Sequence, residues 1–94
     1  MAVSTLVGRV ITMATAADTY AGKGVIDFIR WVGPTTNAHT LALQNTATEV
    51  LYADKCAAAE VNGTKTSPKF EKGLPFNGLL LATMGSGTLY VHLR

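Results

Sequence analysis

The sequence predicts an all-β fold, an antiparallel β-sandwich of jelly-roll-like form with seven to eight short strands. Three observations carry this. Turn signals built from Gly, Pro and Asn recur about every 8–12 residues. The runs between them are rich in Val, Ile, Leu, Thr and aromatic residues, which suit a pleated, half-buried surface. No stretch long enough for a crossover helix has helical period, so a parallel sheet is not expected. The 94 residues make one domain, 1–94, with residues 1–8 as an N-terminal arm or first short strand bent at Gly8.

Taken in order, Arg9 to Ala14 alternates Val10, Thr12 and Ala14 against Ile11 and Met13, and reads as a strand. Gly22-Lys23-Gly24 reads as a turn, with Thr19-Tyr20-Ala21 pairing briefly before it. Val25 to Val32 is the strongest internal strand. One face carries Val25, Asp27, Ile29 and Trp31, the other Ile26, Phe28, Arg30 and Val32, and Gly33-Pro34 ends it. Phe28 and Trp31 are expected near the centre of the sandwich. Asp27, if buried, needs a partner, for which Arg30 or Arg9 is the candidate. Thr40 to Gln44 and Thr48 to Ala53 form a hairpin about Asn45-Thr46-Ala47, with Val50 and Tyr52 sharing a face. The alanine-rich Asp54 to Val61 is too short for an independent helix. Thr64 to Glu71 reads as an edge strand, blunted by Pro68 and by Lys65, Lys69 and Lys72. Gly73 to Gly78 reads as a connector. Leu79 to Arg94 reads as a closing hairpin about Gly85-Ser86-Gly87.

Two of these runs, Val25–Val32 and Leu79–Leu81, carry apolar side chains on both faces. A two-layer sandwich buries one face of each strand and wets the other. Ile26, Phe28, Val32, Leu79, Leu80 and Leu81 are therefore candidates for a subunit interface or for the core. A chain of this length buries only about 60–65% of its unfolded surface, so four or five more buried side chains at about 1.5–3 kcal/mol each would matter.

Composition narrows the function. Charged residues are 15% of the chain, against about 25% in ordinary globular domains. Thirteen Thr and thirteen Ala make flat, weakly polar surfaces suited to packing on protein. The net charge of +2 is too small and scattered for a nucleic-acid footprint. No apolar run approaches the roughly 18 residues of a membrane-spanning helix. The lone Cys56 forms no intrachain disulfide, which points to a reducing compartment. Without a basic leading region, and with Arg9 interrupting the apolar run, the N-terminus is not read as a secretory signal. Asn62-Gly63-Thr64 is accordingly read as a turn.

No constellation announces a chemistry. His39, His92 and Cys56 lack metal-ligand spacing, and Cys56 reads as a small apolar filler. Asp18, Asp27, Asp54, Glu49, Glu60 and Glu71 show no pairing in sequence. No helix follows either glycine-flanked turn to make a phosphate loop. The expectation is a non-enzymatic protein with no cofactor and no metal.

At Ile29-Arg30-Trp31-Val32-Gly33-Pro34-Thr35-Thr36, followed by His39-Thr40-Leu41, and again at Asn77-Gly78-Leu79 and Gly85 to Arg94, the chain resembles small virion structural proteins of tailed bacteriophages. The resemblance is one of layout and implies a capsid decoration, or cement, protein. It implies a homo-oligomer (dimer or trimer) that binds the major capsid protein or other virion proteins. Neither nucleic acid nor membrane is expected as a partner, and the location the resemblance implies is the virion, assembled in the bacterial host cytoplasm. The alternatives are a tail-associated structural protein or a carbohydrate-binding β-sandwich module. The latter would display coplanar rings among Tyr20, Trp31, Tyr52 and Tyr90. No family contact motif is matched, so no contact residue carries over, and Asp54–Val61 has no counterpart.

Overall fold

The computed structural model describes residues 6–36, 38–45, 47–56, 61–67 and 69–94. Residues 1–5 of the expected arm, the 57–60 portion of the alanine-rich segment with Glu60, and Pro68 lie outside the described residues. Among the described residues eight strands follow in order: β1 (Leu6–Val7), β2 (Val10–Met13), β3 (Thr19–Val32), β4 (Thr40–Gln44), β5 (Val50–Lys55), β6 (Thr64–Thr66), β7 (Leu74–Met84) and β8 (Thr88–Leu93). All pair antiparallel within a single sheet. Two are long rather than short, β3 with 14 residues and β7 with 11.

The sheet folds over at β3. The first half of β3 pairs with β7, from Thr19 to Ile26. Its second half pairs with β8, from Ile26 to Val32, and with β6 on the opposite edge. One layer therefore runs β3-β7-β4-β5 and the other β2-β8-β3-β6, with β1 added beyond β2. Counting β3 once in each layer, this is the strand order of a jelly roll. The inward faces meet in one core that joins Ile11, Met13, Ile29, Trp31, Leu89 and Val91 to Leu41, Leu43, Leu79, Leu81 and Met84.

Bulges explain the runs with two apolar faces. Each extra residue reverses which face the following side chains take. Asp27 is extra between Ile26, opposite Leu93, and Phe28, opposite His92. Ile26 thus points inward with Ile29 and Trp31, at 0%, 1% and 1% exposure, and Phe28 is turned outward. Phe28 does not join Trp31 at the centre, contrary to the expectation. In β7, Gly78 at φ +78 faces two residues of β3, and Ala82 is extra opposite β4. Leu79, Leu81 and Met84 consequently all point inward although their spacing is uneven. Leu51 is extra in β5, which places Val50 outside and Tyr52, paired with Leu43, inside.

Four further expectations are corrected. Gly22-Lys23-Gly24 is not a turn but the interior of β3. Its glycines leave room for rings: a Cβ at Gly22 would sit 2.6 Å from the Tyr20 hydroxyl, and one at Gly24 2.9 Å from the Phe76 ring. Most of the Gly73 to Gly78 connector is the start of β7, where Leu74, Pro75 and Phe76 pair with Ile26, Val25 and Gly24. The closing hairpin is not a hairpin. Among the described residues β7 and β8 do not pair; β7 lies between β3 and β4, and β8 between β2 and β3. Gly85-Ser86-Gly87 is an arch from one layer to the other. The indole Nε1 of Trp31 donates to the Ser86 carbonyl (2.8 Å), and the Thr35 amide donates to Ser86 Oγ (2.8 Å). β6 ends at Thr66, earlier than Glu71, although the Ser67 and Phe70 amides still donate to Ile29 and Asp27 carbonyls. The β4–β5 hairpin forms as the alternation of Leu41 and Leu43 predicts, with Asn45 Oδ1 accepting from the Ala47 and Glu49 amides. A second interlayer turn, between β2 and β3, is held by Asp18. Its buried carboxylate accepts from the Ala14 and Thr15 amides and the Thr15 hydroxyl.

Candidate interaction surfaces

The six residues singled out from the sequence divide evenly. Ile26, Leu79 and Leu81 are in the core at 0%, 1% and 0% exposure. Phe28, Val32 and Leu80 are half-buried. Phe28 and Val32 lie on the outer face of the β2-β8-β3-β6 layer, and Leu80 on the outer face of the other layer, in register with Thr19 and Gln44.

On the first outer face, strand register builds two cross-strand rows. One is Val10, His92 and Phe28; the other is Thr12, Tyr90, Arg30 and Thr66. The Phe28 and His92 rings stack at 4.2 Å and 11°. The Arg30 guanidinium lies 5.0 Å from the Tyr90 ring centre, and the Lys69 ammonium 5.9 Å from that of Phe28. Such cation–π contacts contribute about 0.5–1 kcal/mol each at partly exposed sites. Arg30 Nε and His92 Nε2 are sealed from solvent with no hydrogen-bond partner among the described residues. Burial, then the Arg30 charge, hold the His92 pKa below its ordinary value, and Asp27 opposes them. Asp27 pairs with neither Arg30 nor Arg9. Its bulged position turns it toward Arg94 (Nε, 3.6 Å) and Lys69 (3.9 Å). The Arg94 guanidinium also donates to the Phe70 and Glu71 carbonyls, both at 2.6 Å.

The second outer face has Lys55 as the one charge in its rows. Its rows are Val50, Gln44, Leu80 and Thr19, then Ala53, Ala42 and Thr83, then Lys55 and Thr40. Val50 stands out at 57% exposure. A depression of about 280 Å³ near the β4–β5 turn is lined by Thr19, Tyr20, Ala21, Asn45, Thr48, Leu79 and Leu80. At the opposite end the mouth between the layers is bridged by Asp54 of β5 and Lys65 of β6, 3.0 Å apart. Burial raises the Asp54 pKa, but the Lys65 ammonium, the Lys55 amide and the Tyr52 hydroxyl together outweigh it and hold the carboxyl below its ordinary value.

The residues considered for chemistry are dispersed. Cys56 is fully buried, its amide donating to the His39 carbonyl. His92 is on the first outer face. Among the described residues no group of three or more His, Cys, Asp or Glu could hold a metal ion, and no helix is long and apolar enough to cross a membrane. His39 Nδ1 lies 2.9 Å from Ser86 Oγ, a pair that sequence reading missed because only the arch brings the two together. That hydroxyl also accepts from Thr35, so it is engaged in holding the arch. The four rings of the carbohydrate alternative do not form a common plane of exposed faces. Trp31 is buried, Tyr20 packs edge-on against Phe76, Tyr52 donates to Asp54, and Tyr90 lies beneath Arg30. No protein-family model, curated protein or solved structure matches the chain.

Proposed function

We propose that the chain is a non-enzymatic structural module that works by packing against other protein, and specifically a bacteriophage virion protein of the capsid decoration, or cement, type. The observation that carries this reading is the state of the two outer faces. The sandwich completes its core and still leaves Phe28, Val32, Tyr90 and His92 half-buried on one side, among Arg30, Lys69, Asp27 and Arg94, and Leu80 and exposed Val50 on the other. Interface cores are likewise enriched in aromatic residues and Arg. In this role the module bridges neighbouring shell subunits as an oligomer, and the apolar area it covers resists their separation. A tail position would use the same surfaces. The carbohydrate reading has no specific support, since it needs open ring faces.

The test is banding of particles from the phage or prophage that encodes the chain, with sedimentation of the isolated protein alongside. The expected result is stoichiometric co-banding with the particles and an earlier loss of shell integrity on heating when the protein is absent. A protein that never accompanies particles and stays monomeric at high concentration would overturn the reading.

A further inference from the structure

We infer that Asn62, in the turn that leads into β6, is a site of spontaneous deamidation through a cyclic imide with the Gly63 amide, and that the fold protects the second Asn-Gly pair, Asn77-Gly78 in β7. This modification is independent of the virion reading above.

The sequence by itself treats the two pairs alike, because glycine puts no Cβ in the way of an asparagine side chain reaching the following amide. The structure separates them. Asn62 and Gly63 are both exposed, and Asn62 stands in the left-handed region at φ +63, a conformation that Asn tolerates in turns. The turn is tied on both sides. The Asn62 amide donates to the Pro34 carbonyl (2.7 Å), and the Gly33 amide donates to the Gly63 carbonyl (2.8 Å). Between those ties lies the peptide made of the Asn62 carbonyl and the Gly63 amide. Neither group has a hydrogen-bond partner among the described residues. This peptide can swing while its neighbours stay fixed, and so bring the Gly63 nitrogen onto the Asn62 side-chain carbon.

Asn77-Gly78 has no such freedom. Asn77 pairs with Lys23 and Leu79 with Tyr20, so the β3–β7 ladder holds the chain on both sides, and Gly78 is buried. Its peptide turns only when β7 opens, and β7 lies between β3 and β4. Core strands open at a cost approaching that of global unfolding.

The step needs only water. The Gly63 nitrogen bonds to Asn62 Cγ, the bond from Cγ to the side-chain nitrogen breaks, and ammonia leaves with the Gly63 amide proton. Water then opens the imide at either carbonyl. One product is an ordinary aspartyl residue; the other is β-aspartyl, with the main chain routed through the side chain. The β-aspartyl form adds a methylene to the backbone between the ties to Pro34 and Gly33, so the two cannot both keep their present geometry. Thr64, the next residue, pairs with Val32, and the modification therefore loosens the start of β6.

The test holds the folded protein for days in warm, mildly alkaline buffer, beside protein unfolded in guanidinium chloride, and digests both with trypsin. Asn62 falls in peptide 56–65 and Asn77 in peptide 73–94. Conversion is read as the mass gained when NH2 becomes OH, and the β-aspartyl form by its separate elution. In the folded protein Asn62 is expected to convert at least about tenfold faster than Asn77. In denaturant the two rates should agree within about threefold, since neither pair is then held by structure. Gly63→Ala, at a position outside the left-handed region, should keep the fold and slow Asn62 in both conditions. Aged folded protein should have a lower urea midpoint than fresh protein. If Asn62 stays unchanged in the folded protein, or Asn77 keeps pace with it there, the assignment is overturned. An unaltered midpoint after conversion would overturn the loosening of β6, while particle banding decides the virion reading separately.

Discussion

His92 couples the fold to proton concentration. Its ring is stacked on Phe28, and removal from water followed by the Arg30 charge lowers its pKa below the ordinary 6.5. The other charged groups around it are Asp27, which pulls the opposite way, and Lys69 and Arg94, both paired to Asp27. The unfolded chain takes up this proton first as pH falls, so stability is full above 6.5 and declines until pH passes the lowered folded value. The urea midpoint should fall over that window and the fall should flatten in His92→Phe, which keeps the stack; an unchanged slope in the variant would refute the assignment. Trp31 is the second residue with a defined cost. Trp31→Phe removes the donor to the Ser86 carbonyl and empties part of the core. It is expected to lose about 2–4 kcal/mol in denaturant titration. A loss below about 0.5 kcal/mol would mean that the arch does not depend on that bond.

Among the elements, bulges decide the most and were least readable. The β4–β5 hairpin was readable because Leu41 and Leu43 alternate and Asn45 can bond its own turn. β8 was readable from Leu89, Val91 and Leu93. A single inserted residue has no composition of its own, so Asp27, Leu51 and Ala82 looked like ordinary members of their strands. Their effect showed only as apolar residues at uneven spacing, which alternation alone assigns to two faces. The arch was misread for another reason: a Gly-Ser-Gly turn specifies a reversal of direction but not whether the returning strand pairs with its predecessor. The outer faces followed from the same error, since Phe28 could be placed only once the extra Asp27 was known. Two variants separate the residue from the bulge. Asp27→Ala removes only partly exposed ion pairs and should cost about 1 kcal/mol or less. Deleting Asp27 closes the bulge and leaves Ile26 facing in and Phe28 facing out in unbroken alternation, so a cooperative transition should persist. An unfolded deletion variant would contradict the register. Gly87 carries the arch at φ +85, where an added Cβ would meet the Val32 carbonyl oxygen at 2.7 Å. Gly87→Ala should therefore lose about 2–3 kcal/mol, measured as a shift of the urea midpoint.

At the scale of the whole molecule, the two layers are one unit because they share β3. Trp31 reports on one layer through its fluorescence, and far-UV dichroism reports on both. The two signals should change together across a denaturant titration. Separated midpoints would mean that the β3-β7-β4-β5 half can melt by itself. The strand also has a mechanical consequence. In a sandwich made of two separate sheets, a pull directed from one to the other is resisted only by side chains pressed together. Here a tug on β5 relative to β2 travels through the peptide bonds of β3, so the leaves cannot be peeled apart without breaking the hydrogen-bond ladder rung by rung. A clasp sewn through both plies opens under tension only by that route.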